Sequence, residues 1–176
     1  MRQSIETQLA HLGIDPGLRM TGYGLVKTRP GSSMKAVEYG VIKSTPKFSL
    51  PERLYEITSV LADVVNQFQP DCASVENLFS AVNIKTALLL GHVRGAILAE
   101  LRRNNIQVYE YSPLEIKQST VGYGRAEKQQ VGEMCRMLLN LSEVPKPSDA
   151  SDALAAAICH IHNSTDILES KPRSIR

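Results

Sequence analysis

The sequence predicts an α/β protein built on a five-stranded mixed sheet with helices on both faces. Three short strand-like runs separated by turn residues lie between residues 11 and 43, which is typical of a β-meander. From residue 50 onwards, helical and strand-like segments alternate, as they do in α/β folds. A chain of 176 residues, 43% hydrophobic and 22% charged, has the size and composition of one folded domain.

The three N-terminal strands are predicted from apolar runs bounded by turn residues. The first, His11 to Ile14, ends at the turn Asp15-Pro16-Gly17. Two further strands follow, from Thr21 to Lys27 and from Met34 to Lys43, and the loop Arg29-Pro30-Gly31-Ser32 separates them. We expect these strands to pair in an antiparallel meander.

Helices and strands alternate in the rest of the chain. Apolar residues recur at helical spacing from Leu50 to Gln69, and Pro70 then ends the helix because the residue before a proline disfavours helical angles. A fourth strand is predicted at Asp71 to Glu76. The remaining predicted elements are a long helix from Asn83 to Asn104, a fifth strand from Gln107 to Tyr111, and helices around Pro113 to Thr120, Ala126 to Leu139 and Asp149 to His162.

Composition places the domain boundaries near the two ends of the chain. Residues 1–10 are predicted to be a flexible extension, residues 11–163 the folded domain, and residues 164–176 a mobile basic tail. No apolar run approaches the length that crosses a bilayer, and we expect a cytoplasmic protein. The three cysteines, Cys72, Cys135 and Cys159, lack the spacing of a disulfide framework or a zinc site.

Charge favours a polyanionic partner. Twenty Lys and Arg residues against eighteen Asp and Glu residues leave a formal charge of only +2. Several of the acids are assigned below to a single site, where cations would neutralise them. The remaining surface is therefore more basic than the total implies.

Four carboxylates are predicted to lie close together at one edge of the sheet. Asp15 and Glu76 end the first and fourth predicted strands, and Asp149 and Asp152 share one face of the first turn of the last helix. Each has a simpler explanation: a turn residue, a solvated strand end, or a helix cap. Together they predict a Mg²⁺ site, because clustered carboxylates repel one another unless cations neutralise them.

A series of motifs follows in order along the chain. They are Gly13-Ile14-Asp15-Pro16-Gly17 followed by Thr21-Gly22-Tyr23-Gly24, then Glu76-Asn77-Leu78-Phe79, then Gly122-Tyr123-Gly124-Arg125-Ala126-Glu127-Lys128, and then Asp149-Ala150-Ser151-Asp152-Ala153-Leu154-Ala155. The series resembles the successive motifs of the RuvC family, bacterial Holliday-junction resolvases with an RNase H-like fold. The resemblance runs from about residue 11 to residue 162.

The resemblance implies a homodimeric endonuclease that makes paired, Mg²⁺-dependent nicks in opposed strands of a four-way DNA junction. Two Mg²⁺ ions per site are implied, with Mn²⁺ a candidate substitute, and the branch-migration proteins RuvA and RuvB are implied partners. The implied metal ligands and catalytic residues are Asp15, Glu76, Asp149 and Asp152, with Asp15 the preferred bridge between the ions.

Further residues in the matching motifs are assigned to DNA. Lys128 is expected to act in catalysis and, with Lys117 and Arg125, to bind DNA. Phe79 would stack on an unpaired base. For a lysine the alternative is a solvated surface charge, and for Phe79 it is packing in a core.

The long helix that begins at Asn83 has a small residue at every fourth position, and the role of this stripe is open. Ala87, Gly91, Gly95 and Ala99 would let another element approach closely. The stripe could pack on the chain's own sheet or form a two-fold dimer contact, and the resemblance favours the dimer.

Three other functions share some of these sequence features. An actin-like or sugar-kinase ATPase shares the Asp-Pro-Gly loop, but the chain is too short for a second lobe. A YqgF-type nuclease acting on RNA has a similar opening motif and is the main alternative. A protein that clamps junctions without cutting them is the third, although all four ligand positions are carboxylates.

Overall fold

The chain forms one five-stranded mixed sheet with helices on both faces, as predicted. The computed structural model describes residues 8–28, 33–77 and 83–170, of which residues 165–170 are described by their backbone alone. The sheet order is β3-β2-β1-β4-β5. The strands are β1 (Leu9–Asp15), β2 (Met20–Thr28), β3 (Lys35–Lys43), β4 (Cys72–Glu76) and β5 (Gln107–Tyr111).

The first three strands form the predicted antiparallel meander, and β4 and β5 extend it on the other side of β1. Both pairings of the added strands, β1 with β4 and β4 with β5, are parallel. The helices are α1 (Leu50–Phe68), α2 (Ile84–Arg103), α3 (Pro113–Val121), α4 (Lys128–Leu138) and α5 (Ser148–Ser170). The carboxyl ends of β1 and β4 therefore lie side by side.

Local sequence sets the helix ends. Ser49 and Glu52 form a capping box at the start of α1, and Ser112 and Glu115 form another at α3. At α2, the side chain of Asn83 accepts a hydrogen bond from the backbone N–H of Thr86 at 2.9 Å.

Two apolar cores lie on opposite faces of the sheet. Alternate residues of the central strands, such as Leu12 and Val75, pack with α1 and α2, for example with Ile57 and Ile97. On the other face, α5 packs with α3, α4 and β2 through residues that include Leu154. Complete burial of each large apolar side chain contributes roughly 1.5 to 3 kcal/mol, so these two cores hold α1, α2 and α5 to the sheet.

The predicted limits of the terminal segments differ from the structure. β1 begins at Leu9, because the backbone N–H of Ala10 donates to Asp71 Oδ2 at 2.7 Å and its carbonyl accepts from the Asp71 N–H. α5 continues to Ser170, eight residues past the predicted end. Asn163 and Ser164 hydrogen-bond to carbonyls one turn earlier, which is compatible with a continuing helix. Within the described residues, no helix is both long and apolar enough to cross a membrane.

Candidate metal-dependent nuclease site

Asp15 and Glu76 lie next to each other on the face of the sheet that α5 covers. They end the parallel neighbours β1 and β4, and the residues before them, Ile14 and Val75, are register partners. Because Ile14 and Val75 point into the core beneath α1 and α2, the two carboxylates project from the opposite face.

The first turn of α5 lies directly over the sheet beside these carboxylates. Gly22 pairs with Asp15 across β1 and β2, and a Cβ at Gly22 would lie 2.0 Å from the Asp149 carbonyl oxygen. Only a residue without a side chain permits this approach. The close contact brings Asp152 of α5 to the same cavity as Asp15 and Glu76.

That cavity measures about 240 Å³, and three of the four predicted metal ligands and both predicted lysines line it. Asp15, Glu76 and Asp152 line it together with Lys117 and Lys128. The rest of the lining is mostly apolar and comes from α3 and α4: Pro113, Ile116 and Val131. Motif reasoning missed this apolar wall, although the helical spacing of Ile116 and Pro113 in the predicted helix was a signal for it.

Asp149 lies farther from the centre than the other three acids. It is half-buried and does not line the cavity, and among the charges that act on Asp15 its effect is smaller than those of Glu76 and Asp152. Within the described residues, no three of the four carboxylates have oxygen atoms that all lie within 4.8 Å of one another. Asp152 instead pairs with an ammonium: Lys128 Nζ lies 2.8 Å from Asp152 Oδ2.

Burial and mutual repulsion raise the pKa values of Asp15 and Glu76. Desolvation, together with the charges of Glu76, Asp152 and Asp149, raises the pKa of Asp15 to about 8. Desolvation also raises the pKa of Glu76, although a hydrogen bond from Asp15 and the charges of Lys128 and Lys117 oppose it. Burial and the repulsion between neighbouring carboxylates therefore oppose the simultaneous ionisation of the two acids.

The two lysines approach the acids from different helices. Lys128 begins α4, and its hydrogen bond to Asp152 is the main reason that its pKa is raised. Lys117 lies on α3. The Lys128 side chain is 70% exposed, so one end of the ion pair with Asp152 is open to solvent or to a polyanion.

Two residues assigned to DNA from sequence do not line the carboxylate cavity. Arg125 lines a neighbouring, larger cavity of about 570 Å³ between the end of α3 and α4. Phe79 lies outside the described residues.

Comparison with known proteins agrees with the motifs. The family model described as "Crossover junction endodeoxyribonuclease RuvC" matches residues 11–160. A protein of that name from Caldicellulosiruptor saccharolyticus is 45% identical over 157 residues, which cover 89% of this chain and 95% of the relative. Another from Ralstonia pickettii is 49% identical over 151 residues, covering 86% of this chain and 82% of the relative.

Solved structures support the same assignment. The structure titled "T. thermophilus RuvC in complex with Holliday junction substrate" superposes with a TM-score of 0.84 at 32% identity, covering 89% of this chain and 94% of the other. The yeast mitochondrial Holliday junction resolvase Ydc2 shares the fold, with a TM-score of 0.64 at 16% identity over 90% of this chain and 82% of the other. On the family match and the identity to its relatives, the chain belongs to the RuvC family of crossover junction endodeoxyribonucleases.

Proposed function

We propose that this chain resolves four-way DNA junctions during recombination and repair by nicking two opposed strands. In each nick, water attacks phosphorus and the bond to the 3′ oxygen breaks, which leaves a 5′-phosphate and a 3′-hydroxyl. The observation that carries the proposal is the meeting of Asp15, Glu76 and Asp152 with two lysines on one cavity in a chain of this family.

The donor set fits divalent cations. Nucleases of the RuvC family are metal-dependent, and the acids here are oxygen donors of the kind that Mg²⁺ prefers. Burial, together with the charges of Glu76, Asp152 and Asp149, raises the pKa of Asp15 to about 8, and a bound cation would offset these effects by stabilising the ionised carboxylate. We propose that Asp15, Glu76, Asp152 and Asp149 hold two Mg²⁺ ions, with Mn²⁺ as a substitute.

Each group has a role that follows from its place in the cavity. When bound, a pair of divalent ions lowers the pKa of the attacking water and stabilises the departing oxygen. Lys128, released from Asp152, and Lys117 would hold the non-bridging oxygens of the phosphate, where negative charge develops. Ile116 of α3 and Val131 of α4 form an apolar wall of the cavity, which would limit the access of water to a bound phosphate from that side.

DNA contacts beyond the cavity are proposed at Arg125 and Phe79. The position of Arg125 beside the cavity suits a contact to a neighbouring phosphate. The role of Phe79 in stacking on an unpaired base rests on the family resemblance alone.

A homodimer would supply the two sites that paired nicks require. The small-residue stripe of α2 does not pack on the chain's own sheet: Gly91 and Gly95 are exposed, and a Cβ at either position would meet nothing within 4 Å. The same helix exposes Ile84 and Leu88, which are 81% and 61% accessible. We propose that this surface of α2 meets its copy across a two-fold axis.

The dimer proposal is tested by sedimentation. A Gly91→Arg variant should fold, because its side chain has open space, yet sediment as a monomer. Tyr55→Arg, at a position 73% exposed on α1, is the control and should leave the dimer intact. A Gly91→Arg protein that remains dimeric would exclude this surface.

The branch-migration proteins RuvA and RuvB are proposed partners, on the strength of the resemblance. A cytoplasmic location is proposed because the DNA substrate of a bacterial resolvase lies there.

The function itself is tested with synthetic four-way junctions, linear duplexes and RNA–DNA hybrids, each with and without Mg²⁺. We expect cleavage of the junction alone, in the presence of Mg²⁺. Asp15→Asn, Glu76→Gln and Asp152→Asn should bind the junction and fail to cut it, whereas Asp63→Asn, at an exposed position of α1, should cut normally. Cleavage of the hybrid instead of the junction would favour the YqgF-type alternative.

A further inference from the structure

A second cluster of potential metal ligands lies beneath the middle of α5. His11, Cys72 and His160 each offer one ligand atom, and these three atoms all lie within 4.8 Å of one another. The residues are only 5%, 8% and 6% exposed, respectively. Cys72 Sγ lies 3.3 Å from His11 Nδ1.

This cluster belongs to the same three elements as the carboxylate cavity but lies apart from it. His11 and Cys72 are register partners on β1 and β4, each four residues before the acid that ends its strand. At about 3.3 Å per residue, four residues separate the two groups by roughly 13 Å along the same face of the sheet. His160 lies eight residues after Asp152, or roughly 12 Å along the helix.

One nitrogen of the cluster has no partner. His11 Nε2 is buried and makes no hydrogen bond within the described residues. Leaving a buried polar group unsatisfied costs on the order of 1 to 3 kcal/mol. A cation or a hydrogen-bond donor beside this nitrogen would remove the penalty.

The protonation states suit metal binding at the two rings. Desolvation lowers the pKa of His11, against an opposing effect of Asp71, and lowers the pKa of His160 to about 4. Both imidazoles are therefore neutral near neutral pH, which is the form that binds metals. Burial raises the pKa of Cys72 to about 11, so the thiol gives up its proton only to a strong competitor such as a metal ion.

We propose that His11, Cys72 and His160 form a binding site for a zinc-like divalent transition-metal ion. Two imidazole nitrogens and one thiolate are donors that zinc prefers, whereas the carboxylate cavity offers the oxygen donors that Mg²⁺ prefers. Binding forms a metal–sulfur bond and releases the Cys72 proton to solvent. The three side chains would supply three of the four ligands that zinc usually takes.

Neighbouring side chains position the third ligand. The hydroxyl of Tyr111 lies 2.9 Å from His160 Nδ1, and the ring of Tyr109 stacks on His160 with a centroid distance of 4.1 Å. Partners of this kind orient metal-ligating histidines. The bound ion would cross-link β1 and β4 to α5, the elements that carry Asp15, Glu76 and Asp152. Its role is to hold the helix in register on the sheet, whatever the substrate of the enzyme.

The test is a cobalt titration of the full-length protein, stripped of metals with a chelator and kept in excess Mg²⁺ so that the carboxylate cavity is occupied. We expect one Co²⁺ per chain, with a thiolate-to-cobalt charge-transfer band that one equivalent of Zn²⁺ abolishes. Cys72→Ala should lose the band and weaken Co²⁺ binding by more than about 100-fold. Cys135→Ala, which removes another fully buried thiol, should keep both.

The wild-type measurement alone can refute the proposal. A wild-type protein that binds Co²⁺ without a thiolate band would overturn the proposal, because the oxygen donors of the carboxylate cavity cannot produce that band. Persistence of the band in Cys72→Ala would overturn it as well. Circular dichroism of both variants checks folding, and if Cys72→Ala does not fold, His11→Gln replaces it with the same expected loss of affinity.

Discussion

Replacing Asp15 by asparagine should stabilise the protein in the absence of divalent cations while abolishing cleavage. The folded state raises the pKa of Asp15 from 3.8 to about 8, mainly by desolvation and by the charge of Glu76. A group with a raised pKa binds its proton more tightly when folded. Its favourable contribution is complete below about pH 4 and is lost as pH rises to about 8.

The size of the effect follows from the shift. At 1.36 kcal/mol per pKa unit, the loss is about 1 to 2 kcal/mol at pH 5 and on the order of 4 kcal/mol at pH 7. Asparagine has the same shape, carries no charge and can still donate a hydrogen bond to Glu76 through its amide. The free energy of unfolding of the variant should therefore exceed that of the wild type, by a difference that grows as pH rises.

Denaturant unfolding of both proteins in EDTA at about pH 5 and pH 7 measures this difference. The lowered pKa values of His11 and His160 destabilise both proteins equally as pH falls through the usual histidine range, so their contribution cancels. Adding Mg²⁺ should then stabilise the wild type more than the variant. Asp63→Asn is the control and should match the wild type at both pH values.

A variant that is no more stable than the wild type at pH 7 in EDTA, or a difference that does not grow with pH, would refute the reasoning. Either result would mean that folding does not penalise the charge of Asp15. The cavity would then lack the burial and repulsion that bound cations are proposed to offset.

Three other outcomes are expected. Lys128→Ala should slow single-turnover junction cleavage by about 100-fold with little change in junction affinity. The control, Lys35→Ala at the far end of β3, should change neither. Equal losses of rate and affinity would mean that Lys128 only contacts a phosphate. Gly13→Ala should cost more than about 3 kcal/mol in denaturant unfolding, because its Cβ would lie 1.9 Å from the Ala153 carbonyl oxygen. A Gly13→Ala protein as stable as the wild type would contradict the packing of α5 on β1. Junction affinity measured by anisotropy should fall steeply with salt, since bound phosphates release counterions, and a flat response would argue against DNA as the ligand.

Local sequence was sufficient to predict most elements of this fold. The helical spacing from Leu50 and the stop before Pro70 identify α1 to within a residue of its observed bounds. Period and turn residues likewise identify all five strands. The ends were harder to predict: the polar residues after His162 resemble a tail, yet α5 continues through them to Ser170. Polarity alone does not end a helix when side chains bond back to its carbonyls.

The candidate site was predicted where strand order could be inferred. Asp15 and Glu76 end β1 and β4, so they meet once these two strands pair as parallel neighbours, as the order of the elements predicted. The Lys128–Asp152 ion pair and the outlying position of Asp149 did not follow, because they depend on how closely α4 and α5 dock on the sheet.

By itself, the amino-acid sequence determined the secondary structure, the α/β class and the family, since periodicity, caps and motifs are properties of neighbouring residues. Only the tertiary structure decided which distant side chains share an environment. The cluster of His11, Cys72 and His160 has no local spacing to reveal it, because it arises only when α5 packs across β1 and β4. The perturbed acidity of Asp15 has the same origin, since desolvation and repulsion exist only after the chain has folded.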